Sequence, residues 1–199
     1  MKKAIIGALV GAILVFGWQA IAHVAMHHHD VAYKNIPNET NVLSALTGAL
    51  KEEGQYLVPG INPNATQEEE ERYMKESAGK PWALITYHPI FDNNMGMAAF
   101  RSFVTAFFCV LLFIWIMGKD HGNFSTVLLK SLGIGMFAFM FVWYNQNIWM
   151  QTPWDVIKGE LIDLLVAWGL CGLWLGWWLN RRKKTNTAYT TNAYTTKPH

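Results

Sequence analysis

Four long apolar stretches divide the chain, and each approaches the length that an α-helix needs to cross a bilayer. They cover residues 4–25, 98–117, 127–149 and 161–179. A helix needs about 20 apolar residues to span about 30 Å of hydrocarbon, and lipid offers no partners for open backbone groups. The pattern therefore predicts an α-helical integral membrane protein with four transmembrane helices.

A polar segment with short periodic elements separates the first two stretches. In "PNETNVLSALTGALKEEG" apolar residues recur at helical spacing, which predicts a helix that Asn38 or Thr40 caps and Gly54 ends. "QEEEERYMKESAG" predicts a second helix, with a solvated acidic face, that begins after Thr66 and ends at Gly79. "QYLVP" and "PWALITYHP" predict two strands, and the helix between them allows a parallel βαβ pair.

These patterns predict four parts of the chain. Residues 1–26 form the first membrane helix, 27–97 a small extracytoplasmic α/β insert, 98–180 a three-helix membrane bundle, and 181–199 a cytoplasmic tail. The tail, "TNTAYTTNAYTTKPH" at its end, is polar and of low complexity, so we expect it to be disordered.

The charges predict the orientation of the chain. A net charge of +2, with no basic stripe, argues against a nucleic-acid partner. Basic residues flank the apolar stretches at three places: Lys2 with Lys3, Lys119 with Lys130, and residues 181–184. If the chain crosses the membrane four times, all three places lie on the same side. Because such residues favour the cytoplasmic side, both termini are predicted inside and the long polar segment outside.

The first apolar stretch has two interpretations. "AIA" before His23 matches a signal-peptidase site, so cleavage after Ala22 would leave His23 as the amino terminus. However, the stretch is longer than the usual apolar region of a signal peptide, and Gly7 with Gly11 forms a helix-packing GxxxG pattern. We favour a retained membrane anchor, and either outcome leaves the topology of the rest unchanged.

Four histidines occur within "HVAMHHHD", at the end of the first apolar stretch. On a helix, His23 and His27 share a face, and His28, His29, Asp30 or His88 could supply further ligands for Cu or Zn. The pattern lacks HExxH, a second His pair and any cysteine. We therefore expect an interfacial polar collar without a cofactor, and keep a Cu or Zn site at His23, His27, His28 and His29 as the alternative.

A second group of polar residues falls within the predicted outer leaflet: Arg101, Glu160, Asp163, Asn145, Gln146 and Asn147. Charged groups inside a membrane usually face other helices and find partners there. We therefore expect Arg101 to pair with Asp163 or Glu160, as a structural clamp or as the lining of a small outward pocket. Nearby, Gly169, Gly172 and Gly176 give the last apolar stretch a thin face for close packing within the chain or against a partner.

Short motifs in the same order as these elements resemble a loose group of uncharacterised bacterial inner-membrane proteins. The motifs are "NETNVLSAL", "GQYLVPG", "PWALITYHP" and "NNMGM". The resemblance implies an N-terminal anchor, a small periplasmic α/β insert, three further membrane helices and a place in the inner membrane. It implies no activity and no catalytic residue.

The sequence thus favours a non-enzymatic accessory or scaffolding protein of the inner membrane. Its expected partners are the lipid bilayer and other membrane proteins, or a second copy through the glycine-rich faces. A periplasmic-face metal-binding protein is the first alternative. A small transporter with an outward polar pocket is the second.

Overall fold

A computed structural model describes residues 2–26 and 32–181 of the chain, which are mostly helical. Within this part the chain forms two compact units, one of residues 35–93 and one that joins the segments before and after it. His27, His28, His29 and the predicted disordered tail beyond residue 181 lie outside the described residues.

Seven α-helices and two strands are described. They are α1 (Lys2–Val24), α2 (Glu39–Ala49), β1 (Gly54–Val58), α3 (Gln67–Ser77), β2 (Ala83–Tyr87), α4 (Met95–Met117), α5 (Phe124–Ala138), α6 (Asn145–Met150) and α7 (Trp154–Asn180). A π-helical segment, Phe139–Tyr144, joins α5 to α6 without a break. All four apolar stretches therefore lie in long helices, as the sequence predicts.

Three helical segments are long and apolar enough to cross a membrane: Lys2–Val24, Met95–Met117 and Phe124–Met150. Helix α7 has sufficient length, at 27 residues, but it is not among them. Its first turns carry Asp155, Lys158, Glu160 and Asp163, and tryptophan contributes less than leucine or isoleucine to apolar character. Three helices therefore have the length and composition of membrane spans, and α7 is not one of them.

Helix α7 packs between α1 and α5, and α4 packs on α1. Small residues of α1, among them Ala8 and Ala12, are fully buried in this interior together with Val110 and Leu175. The ring of Phe113 from α4 meets the edge of Trp168 from α7 at a centroid distance of 5.6 Å. Helix α1 is therefore a structural part of the bundle and packs against both α4 and α7.

Glycines allow the helices of this unit to approach closely. A Cβ atom on Gly11 would lie 2.9 Å from Cγ1 of Val110, and one on Gly172 would lie 2.7 Å from Cβ of Ser131. Beside that contact the Ser131 hydroxyl donates to the carbonyl oxygen of Trp168 at 2.6 Å. Such small-residue contacts are typical of helix packing in membranes. The glycine faces noted in the sequence are thus occupied within the chain.

The unit of residues 35–93 differs from the sequence prediction in its strand direction. Strands β1 and β2 pair antiparallel, with Gly54 opposite Tyr87 and Val58 opposite Ala83. The predicted parallel pair is therefore wrong. The connection through α3 is long enough for either direction, so its length did not determine the pairing.

The helix ends of this unit are partly as predicted. Helix α2 ends at Ala49, before an extended Leu50, whereas Gly54 begins β1, so the prediction that Gly54 ends the helix is wrong. Asn38 precedes α2 but makes no side-chain capping bond. Thr66 caps α3 as predicted, and the Thr66 backbone N–H donates to the Glu69 carboxylate at 2.8 Å in a reciprocal capping box.

This capping box predicts a pH-dependent contribution to the stability of α3. The hydrogen bond from the Thr66 backbone N–H, with a second from its side chain, lowers the pKa of Glu69 below its usual value of 4.5. A carboxyl whose folded pKa is lowered contributes stability above its unfolded pKa and loses that contribution as the pH falls through the folded pKa. In threonine-labelled protein, the Thr66 amide resonance should titrate with a midpoint below 4.5.

Replacement of Glu69 by Gln provides the control for this measurement. The amide oxygen of glutamine can still accept from Thr66 but does not titrate, so the change of the Thr66 resonance with acid should disappear. An unchanged titration in Glu69→Gln would show that the Thr66 amide resonance responds to the protonation of another group.

Candidate functional site

Among the described acidic side chains of the helical unit, that of Asp163 is buried, with 4% of its surface exposed. The indole N–H of Trp18, from α1, donates to its Oδ1 atom at 3.2 Å. Asp163 makes further contacts besides this one. The sequence correctly indicated that this carboxylate faces the bundle, but its described partner is an indole of the first helix.

The predicted ion pair with Arg101 is not formed. Arg101 lies on the exposed surface of α4, and no described carboxylate lies within ion-pair distance of it. Its backbone carbonyl accepts the hydroxyl of Thr105 at 2.9 Å. Because α4 packs on α1, whereas Asp163 turns from α7 toward Trp18, the two charges are not brought together. Glu160, half-buried one turn before Asp163, has partners of its own.

The amides of the predicted cluster lie on the outer surface of the third apolar helix. Asn145 and Gln146 are exposed and line a shallow groove with Trp149 and Met150. Asn147 instead donates to the carbonyl oxygen of Thr152 at 2.7 Å and thereby holds the turn that precedes α7. No hydrogen bond within the described part joins these amides to Asp163. The residues of the predicted polar cluster therefore make separate local contacts and do not form one group.

The predicted metal site can be described only at His23. This residue is exposed at the end of α1, and its Nδ1 atom lies 3.0 Å from the carbonyl oxygen of Gln19. His88 lies elsewhere, in the unit of residues 35–93, where its ring is 3.4 Å from the Glu53 carboxylate. Over residues 2–26 and 32–181, no three His, Cys, Asp or Glu side chains are grouped as metal ligands.

Sequence reasoning missed a set of contacts that connects the first turn of α1 to the last turns of α7. The indole N–H of Trp178 donates to the Lys3 carbonyl oxygen at 2.9 Å, and that of Trp174 to the Gly7 carbonyl oxygen at 3.0 Å. The Lys3 ammonium group donates to the Leu179 carbonyl oxygen at 2.8 Å. Glycine at position 7 permits this approach, because a Cβ there would lie 3.0 Å from Cδ1 of Trp178. Paired Trp residues opposite a GxxxG pattern were the signal available in the sequence.

Next to these contacts, Arg181 ends α7 with its guanidinium group over two indole rings. The guanidinium carbon lies 4.8 Å from the centre of Trp177 and 5.4 Å from that of Trp178. Arg181 and Trp177 line a groove with Asn180, Gly176 and Phe124, the first residue of α5. The amino end of α1, the amino end of α5 and the carboxyl end of α7 therefore lie at one end of the helical unit, together with their basic residues.

Comparisons with protein-family models, with curated proteins and with solved structures find no match to this chain. The resemblance indicated by the short motifs therefore brings no activity to any residue, and the chemistry must be argued from the contacts above. The structure establishes three features. Several helices are long and apolar enough to cross a membrane, a buried acid accepts a hydrogen bond from an indole, and one end of the helical unit is basic and rich in tryptophan.

Proposed function

We propose that this chain is a non-enzymatic, multi-pass protein of a bacterial inner membrane that acts as an accessory or scaffolding subunit. In this proposal α1, α4, the helix from Phe124 to Met150, and α7 all cross the bilayer. The termini are cytoplasmic, and residues 35–93 are exposed to the periplasm, where they provide the surface for a partner.

The outward apolar surface of the helical unit is the observation that carries the proposal. Large apolar side chains on α4 and on the helical segment Phe124–Met150 remain highly exposed, among them Phe108, Trp115, Leu129, Phe137 and Phe141. Soluble proteins seldom expose contiguous apolar patches of this kind, whereas lipid tails and partner helices cover them without cost. Each candidate span contains a strongly apolar stretch of 18 residues.

The basic end of the unit supports the proposed orientation. Lys3 is in contact with Leu179, so the first and last helices bring their flanking basic residues to the same end. Lys119 and Asp120 lie in the connection from α4 to α5, and α5 begins beside Gly176. An excess of Lys and Arg favours retention of this end in the cytoplasm.

The packing of α1 supports a retained anchor. Cleavage after Ala22 would remove Gly7, Gly11 and Trp18, each of which contacts α7. The surface of α7 that these residues cover would then be exposed. We therefore infer that residues 1–22 stay in the mature protein.

Native mass spectrometry of the protein extracted from its host membrane in mild detergent tests the proposal. A chain that retains α1, fractionates with membranes and carries other polypeptides is the expected result. Recovery in the soluble fraction, or as a solitary chain even after gentle cross-linking in cells, would contradict it.

The same spectrum tests the metal-binding alternative, which the exposed position of His23 favours. A chain that begins at His23 and carries the mass of a Cu or Zn ion would replace the accessory function with metal binding. A His23→Ala variant that keeps the added metal would place that ion elsewhere in the chain.

A further inference from the structure

We propose that the groove at the basic end of the helical unit binds the phosphate group of an anionic phospholipid. The groove lies between the start of α5 and the end of α7 and is lined by Phe124, Gly176, Trp177, Asn180 and Arg181. This inference rests on the proposed membrane insertion and adds a specific ligand to it.

Arg181 is positioned as the ligand of the phosphate. Its guanidinium group is held over Trp177 and Trp178, and its backbone N–H continues α7 by donating to the Trp177 carbonyl oxygen at 3.1 Å. Within residues 2–26 and 32–181 it forms no ion pair with a carboxylate. A guanidinium fork fixed by aromatic rings and lacking an acidic partner is well suited to bind a phosphate.

Trp177 supplies a second donor at the same groove. Of the three neighbouring indoles, those of Trp174 and Trp178 donate to carbonyl oxygens of α1. The Trp177 indole donates to none of the described residues, and its side chain is 51% exposed beside Arg181. Tryptophan is favoured at the depth of lipid headgroups, where its ring is apolar and its N–H can reach a phosphate oxygen.

The groove also fits the remainder of a lipid. Phe124 and Gly176 form its apolar part. The ring of Phe124 packs directly on the backbone of Gly176, where a Cβ would lie 2.9 Å from Cδ2 of Phe124. An acyl chain could continue along this apolar surface toward the bilayer interior. Phosphate group and chain together distinguish a phospholipid from a free phosphate ion.

Charge complementarity selects an anionic lipid. The basic residues Lys2, Lys3, Lys119 and Arg181 lie at this end. Basic residues near a membrane surface attract anionic lipids, and basic pockets between helices bind their headgroups. Phosphatidylglycerol is therefore expected to bind more tightly than zwitterionic phosphatidylcholine.

Native mass spectrometry of the full chain, titrated with either lipid in detergent, measures this preference. Replacement of Arg181 by Gln should weaken phosphatidylglycerol binding about tenfold or more, because it removes the charge-assisted hydrogen bonds from the guanidinium group to the phosphate. Trp177→Phe keeps the stacking ring, removes the N–H donor and should cause a smaller loss. Lys119→Gln removes one charge at the same end but outside the groove and should change little.

The outcomes separate this inference from the proposed function. Equal binding by Arg181→Gln and Lys119→Gln, or equal affinity for both lipids, would overturn the site while leaving the membrane location intact. Displacement of the lipid by inorganic phosphate would show an anion site that does not select lipid. Circular dichroism of each variant establishes that the helices are retained, and a soluble, lipid-free protein would overturn both proposals.

Discussion

Replacing Gly172 by Ala should destabilise the helical unit, whereas the same change at Gly169, one turn earlier on α7, should not. A Cβ at Gly172 would lie 2.7 Å from Cβ of Ser131, which is fixed to the backbone of α5. To relieve the overlap between these two atoms, α5 and α7 must move apart. The expected cost is roughly 1–3 kcal/mol, the usual range for overpacked interiors.

Gly169→Ala is the control because there is room for a Cβ atom at Gly169. A Cβ at Gly169 would meet the flexible end of Leu132 at 3.6 Å, an ordinary contact. Ala also has a higher helix propensity than Gly by about 1 kcal/mol, so Gly169→Ala should be neutral or slightly stabilising. Thermal unfolding in one detergent, followed by helical ellipticity, should show a midpoint lowered by several degrees for Gly172→Ala only. Equal midpoints for the two variants would contradict the close contact between Gly172 of α7 and Ser131 of α5.

Replacing Trp18 by Phe should also destabilise the helical unit, because it removes a donor from a buried carboxylate. The indole N–H of Trp18 donates to Asp163, which is 4% exposed. Hydrogen bonds to charged groups contribute about 1.5–3 kcal/mol, and the loss of one from a water-poor interior falls in this range. Trp115→Phe provides the matched control, since Trp115 lies on the outward face of α4 and is 75% exposed.

A double-mutant cycle identifies the pair as the source of this effect. Asp163→Asn keeps an oxygen that accepts from Trp18 but removes the charge, so Trp18→Phe should cost less in that background than in the natural chain. If the cost of Trp18→Phe is the same in both, or no larger than that of Trp115→Phe, the hydrogen bond does not stabilise the bundle.

The elements that depend on local sequence were predictable. The apolar stretches placed α1 and α4 within three residues of their observed ends, and Thr66 was recognised as the cap of α3. Both features follow from residues close in the chain: length and composition in the first, a hydroxyl three residues before a glutamate in the second.

The contacts between distant residues were not predictable by the same reasoning. The direction of β1 against β2 depends on pairs such as Gly54 with Tyr87, and the same pairing requires extended backbone at Gly54, where a helix end was predicted. Asp163 was recognised as needing a partner, but Arg101 was chosen by charge and depth alone. The packing of α1 on α7 brings Trp18 to Asp163 instead. This packing cannot be predicted from residues that are close to each other in the sequence.

The central position of α7 has a consequence for the order of synthesis. Helix α7 follows α1 and α5 in the chain and packs against both, and the contact between Trp178 and Lys3 joins residues 175 positions apart. Until α7 emerges, Gly11 and Ser131 lack the surfaces that they later cover, and long-range contacts of this kind form slowly. Helix α7 also carries four charged residues in its first turns, more than any of the three candidate spans. In a membrane-inserted chain, its entry into the bilayer would thus depend on the earlier helices, and the bundle would be completed only after α7 has been synthesised.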